Sequence, residues 1–362
     1  MLLMRKFILF SLFATLFSAC KKEDNGKDCY QNSEVSSPAP YVLESRGSIS
    51  FNGSIKAFQF VDENIGYAMC TMNVGGYVAL FKTEDGGRSW KDLNLNIQQF
   101  PVGFTFKNEQ SGIITVHDVT GCPPPGCLEK CVFYKTVDGG ITWAKVELEQ
   151  YKGMLYHPQF DKDGNLFAYL YRIDSQAAIV KSSDNGSTWN TFFTSPELGF
   201  SLATFSFEIS GDKIYTLTRQ DEVLVLSKDG TLLKTIPLGG TSGIWDFEII
   251  DENNLVAVKG TEAIKTSDGG LSWVKIYDRA SRIIGFDTPS EGLMFLNKNY
   301  CGSEGAYTQN DYLAYTSNGG RDWAQPANTT HHLVSGFIGS QKMGENFWYV
   351  IMGNKLISLK SH

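Results

Sequence analysis

Long apolar segments are missing from this 362-residue sequence. Its longest apolar run, Phe7 to Phe17, falls short of the roughly 20 residues that a membrane-spanning helix needs. Sustained helical amphipathicity is missing too, which argues against α and α/β folds. Positive charge is in deficit: 39 acidic against 32 basic side chains give a formal net charge of −7, which disfavours a nucleic-acid partner. Hydrolytic signatures are wanting as well, with no Gly-x-Ser-x-Gly elbow and no His-Glu-x-x-His metal helix.

The N-terminus has the layout of a secretory signal: Arg5, the apolar run, then Ser18 and Ala19 directly before Cys20. Leu16-Phe17-Ser18-Ala19-Cys20 resembles a bacterial lipobox, with Phe17 in place of the usual aliphatic residue. The resemblance implies cleavage before Cys20, acylation of its thiol and attachment to a membrane through that lipid. The following Lys21-Lys22-Glu23-Asp24 resembles the export tag of surface lipoproteins in the Bacteroidetes group. The expected location is therefore the bacterial cell envelope, lipid-anchored to the outer membrane and displayed at the cell surface. Residues 1–19 read as signal peptide, 20–40 as lipidated cysteine and flexible tether, and 41–362 as one folded domain. The tether is polar, carries Gly26, Ser36, Ser37, Pro38 and Pro40, and has a root-mean-square reach of about 25 Å.

With Cys20 assigned to lipid, Cys29, Cys70, Cys122, Cys127, Cys131 and Cys301 remain. An even number in an exported chain points to disulfides, whose connectivity the sequence leaves open. Cys122, Cys127 and Cys131 beside His117 allow a zinc reading, but the spacing is not that of a paired Cys-x-x-Cys site, and no metal or cofactor is expected.

One octet recurs five times. Thr83-Glu84-Asp85-Gly86-Gly87-Arg88-Ser89-Trp90 is followed by copies centred on Asp138, Asp184, Asp268 and Asn318 and closed by Trp143, Trp189, Trp273 and Trp323. Its chemistry is that of a tight hairpin: the Asp or Asn oxygen accepts from N–H groups just ahead, the glycines take positive φ, and the indole packs. Spacing is about 50 residues with one double gap, in which Leu226-Ser227-Lys228-Asp229-Gly230-Thr231 is a degenerate copy. Strand-like runs precede each hairpin, as Ile55 to Val61, Ile65 to Met72 and Tyr77 to Lys82 do in the first repeat, and four strands per repeat make a propeller blade. Beyond the sixth hairpin, His332 to Gly339, Phe347 to Met352 and Lys355 to Leu359 supply three strands. Tyr41 to Phe51 supplies a fourth that closes a seventh blade and covers two sheet edges. Six blades with ragged ends is the alternative.

The octet is similar to the Asp-box, or BNR, repeat of sialidases, sortilin-like receptors and photosystem II assembly-factor propellers. The resemblance implies an all-β, seven-bladed propeller of four-stranded blades, with structural Asp boxes between third and fourth strands on the face away from the binding mouth. The sialidase family's Arg-Ile-Pro motif is absent, since Arg46 precedes Gly47 and Arg282 precedes Ile283-Ile284, so sialidase activity is not expected. Two long connections between second and third strands should flank the mouth, His117 to Cys131 and Asn297 to Tyr312. The second carries Tyr300, Glu304, Tyr307 and Tyr312, suited to a protein or glycan partner, while His157, Trp245 and Arg282 should line the channel. The expected function is that of a monomeric binding propeller without catalysis. A divergent glycan-active hydrolase is the alternative, its first carboxylates being Glu304 and Asp311.

Overall fold

The computed structural model describes residues 39–72, 78–97, 99–118, 130–171, 177–198, 207–238, 243–299, 309–324, 326–327, 337–345 and 347–361. They form seven sheets arranged as the blades of a β-propeller ring. From the inner strand outward, blade 1 comprises Gly53–Phe60, Gly66–Met72, Val78–Thr83 and Lys91–Asp92. Blade 2 comprises Phe100–Phe106, Gly112–His117, Lys130–Thr136 and Ala144–Lys152. Blade 3 is Met154–Phe160, Leu166–Tyr171, Ala177–Ser182 and Asn190–Thr194. Blade 4, which fills the double gap between octets, is Phe207–Ser210, Lys213–Leu217, Glu222–Ser227 and Leu232–Pro237. Blade 5 is Ile244–Ile249, Leu255–Lys259, Glu262–Thr266 and Val274–Tyr277.

Blade 6 has Ala280–Phe286, Gly292–Asn299 and Gln309–Thr316, and its fourth strand is reduced to a bridge between Tyr315 and Ala324. Just beyond that bridge, Pro326–Ala327 crosses to the next blade and pairs in parallel with Ala39–Ser48. Blade 7 is Phe337–Gly344, Phe347–Met352, Lys355–Ser361 and, outermost, the N-terminal Ala39–Ser48. Its inner strand is described from Phe337; the expected start at His332 lies in residues 328–336, outside the described part. Closure of the ring by the N-terminal strand follows the sequence expectation.

The second strands are buried almost throughout because each sheet is packed between two others. Buried runs such as Ile113 to Val116, apolar but for Thr115, and Leu166 to Leu170 belong there. Outer strands face water on one side, and Leu232–Pro237 exposes all but Ile236. Aromatic rings join neighbouring blades: Tyr67 lies 3.5 Å from Phe106 in a parallel stack, and Phe60 lies 4.3 Å from Tyr349. Such pairs each add about 0.5–1.5 kcal/mol beyond area burial.

Two faces differ in construction. On the base, the turn after the inner strand and the octet turn of the same blade are laced together, Gly86 N–H to Asn64 O, Gly139 to Gln110, Gly269 to Asn253 and Gly319 to Ser290. On the opposite face, the mouth, inner strands begin and second strands end. The N-terminal strand runs antiparallel to Lys355–Ser361, so it starts at the base and ends at the mouth. The Tyr41 hydroxyl accordingly donates to Asp287 in the base turn of blade 6, at 2.7 Å.

Candidate functional site

Inner strands surround the central channel, and six of the seven break register near the mouth. The irregularities fall between Ile55 and Ala57, Pro101 and Gly103, Tyr156 and Gln159, Ile244 and Asp246, Ala280 and Arg282, and Phe337 and Gly339. A bulge inserts a residue, bends the strand and re-aims a side chain. Repeated around a ring, it presents one extra residue per blade at the channel entrance.

In blade 3 the bulge holds His157 at φ 50°, a left-handed conformation directly before Pro158. Room for it comes from the preceding blade: a Cβ on Gly103 would stand 2.9 Å from Pro158 Cδ and 3.6 Å from His157 N. His157 is exposed to solvent yet lies deep inside the ring, the combination expected for a channel wall, and the surrounding protein lowers its pKa by desolvation. Arg282 in blade 6 is exposed on the same wall and draws down the pKa of Asp246 in blade 5 against the upward push of burial. Trp245 occupies the bulge of blade 5 by its backbone, and its side chain lies outside the described part. Lys56, at the blade 1 bulge, is a further exposed cation that sequence reasoning missed.

Tyr312 does not join this group. Its hydroxyl meets that of Tyr277 at 3.0 Å, which places it between blades 5 and 6, away from the channel. Tyr300, Glu304 and Tyr307 lie outside the described residues, as does the Asp311 side chain. The carboxylates that the described structure does gather at the channel are Glu208, Asp246 and Glu248, on the inner strands of blades 4 and 5. A signal was available for two of them: Phe58-Gln59-Phe60, Pro158-Gln159-Phe160, Phe207-Glu208-Ile209 and Phe247-Glu248-Ile249 share one pattern. Burial pushes Glu208 and Glu248 up to about 8 and Asp246 up to about 6.

The octet acids have a different occupation. Asp138 accepts from the Thr136 hydroxyl at 2.7 Å, the Thr142 N–H at 2.9 Å and the Thr142 hydroxyl at 2.6 Å. Asp85, Asp184 and Asp268 repeat the set with Thr83 and Ser89, Ser182 and Thr188, and Thr266 and Ser272. In the fifth copy donor and acceptor change places, Asn318 Nδ2 donating to Asp322 at 2.8 Å. Bonds from Thr142 hold Asp138 down at about 2, and the Thr188 N–H and hydroxyl do the same for Asp184. The indoles of Trp90, Trp143, Trp189 and Trp323 donate to the second glycine's carbonyl in their own octets, whereas Trp273 donates to Pro237 O of the preceding blade. A cavity of about 340 Å³ on the base lies between the first two octets, lined by Lys82, Trp90, Leu93, Asp138 and Ile141. Its acids are tied in these turns and are not free for chemistry.

No group of three or more metal-ligating side chains occurs among the described residues. Cys131 is a free thiol, 1% exposed in the core between blades 2 and 3, and burial pushes it up to about 12. Cys122 and Cys127, the other thiols of the zinc reading, lie outside the described residues. Cys70 is likewise free and buried.

No family model and no curated protein matches the chain. Solved structures do match. The structure described as YCF48 bound to D1 peptide aligns with a TM-score of 0.64 at 15% identity, over 91% of this chain and 99% of that one. YCF48 from Cyanidioschyzon merolae aligns at 0.60 with 11% identity, over 88% and 98%. The WD40 propeller domain of Doa1 aligns at 0.55 with 10% identity, over 88% and 97%. At these identities the chain shares with them the propeller fold.

Proposed function

We propose that this chain is a protein-binding propeller, held at the bacterial envelope through Cys20, that grips an extended peptide segment at its channel mouth without catalysis. The observation that carries this reading is the ring of bulged inner strands, with His157, Arg282 and Lys56 presented at its wall. A left-handed His costs conformational energy and is kept where the surroundings enforce it, often at a ligand site. A structural neighbour whose description records a bound peptide supports the same use of the fold. Orientation supports it too: the tether joins the ring at the base, so a lipid on Cys20 leaves the mouth pointing away from the membrane. Protein is preferred to glycan because the described part of the wall is built from backbone irregularities and the exposed cations Lys56 and Arg282.

The test is a peptide and glycan array probed with the chain from Lys21 onward, with His157→Ala and Arg282→Ala as controls. A peptide ligand is expected, weakened roughly 10-fold, about 1.4 kcal/mol, by either change. Glycan binding alone, or peptide binding indifferent to both changes, overturns the assignment. The anchor is tested separately: wild-type protein should partition into detergent and Cys20→Ala should not.

A further inference from the structure

Each blade must hold the next at the channel wall, and side chains near the base end of the inner strands do this by a repeated device. Gln59 of blade 1 accepts from the Phe106 N–H of blade 2 at 2.7 Å and donates to the Phe106 carbonyl at 2.9 Å. Gln341 of blade 7 does the same to Phe60 of blade 1, both at 2.7 Å. Gln159 of blade 3 donates to Phe207 O of blade 4 at 2.9 Å. An amide suits this role because it offers one acceptor and one donor side by side, matching the N–H and C=O of one residue.

In blades 4 and 5 the same position is glutamate. Glu208 takes the Ile249 N–H at 3.4 and 3.2 Å from its two oxygens, and Glu248 Oε1 takes the Phe286 N–H at 2.9 Å. Glu248, bonded through Oε1 alone, is placed to use its second oxygen as the glutamines use their amide nitrogen, on the neighbour's carbonyl, whereas both oxygens of Glu208 share the one N–H of Ile249. Glu248 Oε2 is buried there with no hydrogen-bond partner. An ionised carboxylate has no donor and would set two oxygens against each other, whereas a protonated carboxyl has the donor–acceptor pair of glutamine.

We propose that Glu208 and Glu248 carry protons in the folded ring and act as neutral, glutamine-like staples from blade 4 to blade 5 and from blade 5 to blade 6, making this seam of the propeller sensitive to pH.

The surroundings favour the neutral form. Facing Glu208 are Glu248 and Asp246 from blade 5, and Tyr215 from its own blade. Facing Glu248 are Asp246, Asp287 in the blade 6 base turn, and Lys342 on the inner strand of blade 7. Lys342 is the one cation among them and is already paired with Asp287 at 2.6 Å. Arg282 acts on Asp246. Burial, first, and then repulsion from neighbouring carboxylates, Glu248 and Asp246 on Glu208 and Asp246 and Asp287 on Glu248, raise both glutamates to about 8, against 4.5 for the free side chain. The folded state thus holds protons that the unfolded chain has released between those values, so the stabilisation is complete below about pH 4.5 and is lost as pH climbs to about 8.

Denaturant unfolding of the chain from Lys21 onward, from pH 5 to 9, tests this with Glu208→Gln, Glu248→Gln and the double variant. The wild type should release about two more protons on unfolding near pH 6.5 than the double variant, whose stability profile should be flatter and should overtake the wild type as pH rises. Parallel profiles overturn the proposal. Should the double variant not fold, carbon-13 titration of the wild type decides the matter. Two glutamate carboxyl carbons titrating above roughly pH 6 support the staples, and none doing so overturns them.

Discussion

Asp287 shows how much one side chain can hold when the ring closes on it. Its side chain is 4% exposed, and it accepts from the Tyr41 hydroxyl at 2.7 Å and the Trp348 indole at 3.3 Å while pairing with Lys342 at 2.6 Å. These donors come from three strands of blade 7, so one carboxylate on blade 6 fixes the blade that contains the first and last described strands. Beside it, Gly285 lets the Trp348 ring pass: an added Cβ would stand 1.7 Å from the ring. Asp287→Ala should cost about 2–3 kcal/mol, less than a fully enclosed ion pair because Lys342 can turn to water, as read from denaturant unfolding. Burial opposes ionisation of Asp287, but Lys342 and the two hydrogen bonds outweigh it and hold the carboxyl below its usual range. Its folded pKa being depressed, the clasp contributes fully above the unfolded value near 4 and is lost as pH falls through the folded one. Acid unfolding of the wild type should therefore be steeper below pH 4 than that of Asp287→Asn. None of this was legible beforehand, because Asp287 occupies a turn position where Val61, Lys107, Asp161 and Ile250 stand in other blades.

The octet turn was the most legible element, since its Asp and hydroxyl side chains find their partners within the octet itself. Its opening hydroxyl is the least conspicuous and the most engaged member. Thr83, Thr136, Ser182, Thr266 and Thr316 each accept the N–H of the second glycine at 2.8–2.9 Å while donating to the Asp or Asn two residues on. That glycine has φ between 83° and 91° and lies against the preceding blade, where a Cβ on Gly270 would stand 2.1 Å from Ile236 and one on Gly140 2.9 Å from Leu93. Thr136→Val keeps the shape and removes both bonds, leaving the Gly140 N–H unsatisfied in a buried turn, and should destabilise by about 1–3 kcal/mol in thermal or denaturant unfolding. Glu147→Ala, on an exposed outer strand and paired among the described residues with Lys130 and Lys145, should leave the same unfolding midpoint nearly unchanged. The inner-strand staples escaped notice for the opposite reason. A Gln or Glu on a short strand reads as part of its water-facing side, and its true partner lies 47 residues away for Gln59 and 281 for Gln341.

At the scale of the molecule, the blade count was legible from an arithmetic of strands, three left over at one end and one at the other, because a propeller cannot leave sheet edges open at low cost. The mouth was less legible: a bulge depends on the register between two strands, and nothing in Tyr156-His157-Pro158 alone says which residue is extra. Closure gives the firmest whole-molecule prediction. Residues Ala39–Ser48 pair along Lys355–Ser361 and receive Pro326–Ala327 on their other side, so they join the first, sixth and last parts of the described chain in one sheet. Removing residues through Ser48 would uncover the edge of Lys355–Ser361, take Tyr41 from Asp287, and remove Tyr41 from the core that it shares with Leu359 and Trp348. The truncated chain should aggregate or unfold as a whole, since each blade is packed on both faces by others. Light scattering and the near-ultraviolet signal of the tryptophans would follow it. Adding the missing strand as a separate peptide should restore the folded signal, with a midpoint set by peptide concentration. A truncated chain that stays monomeric and folded would mean that the ring is closed by contacts other than this strand.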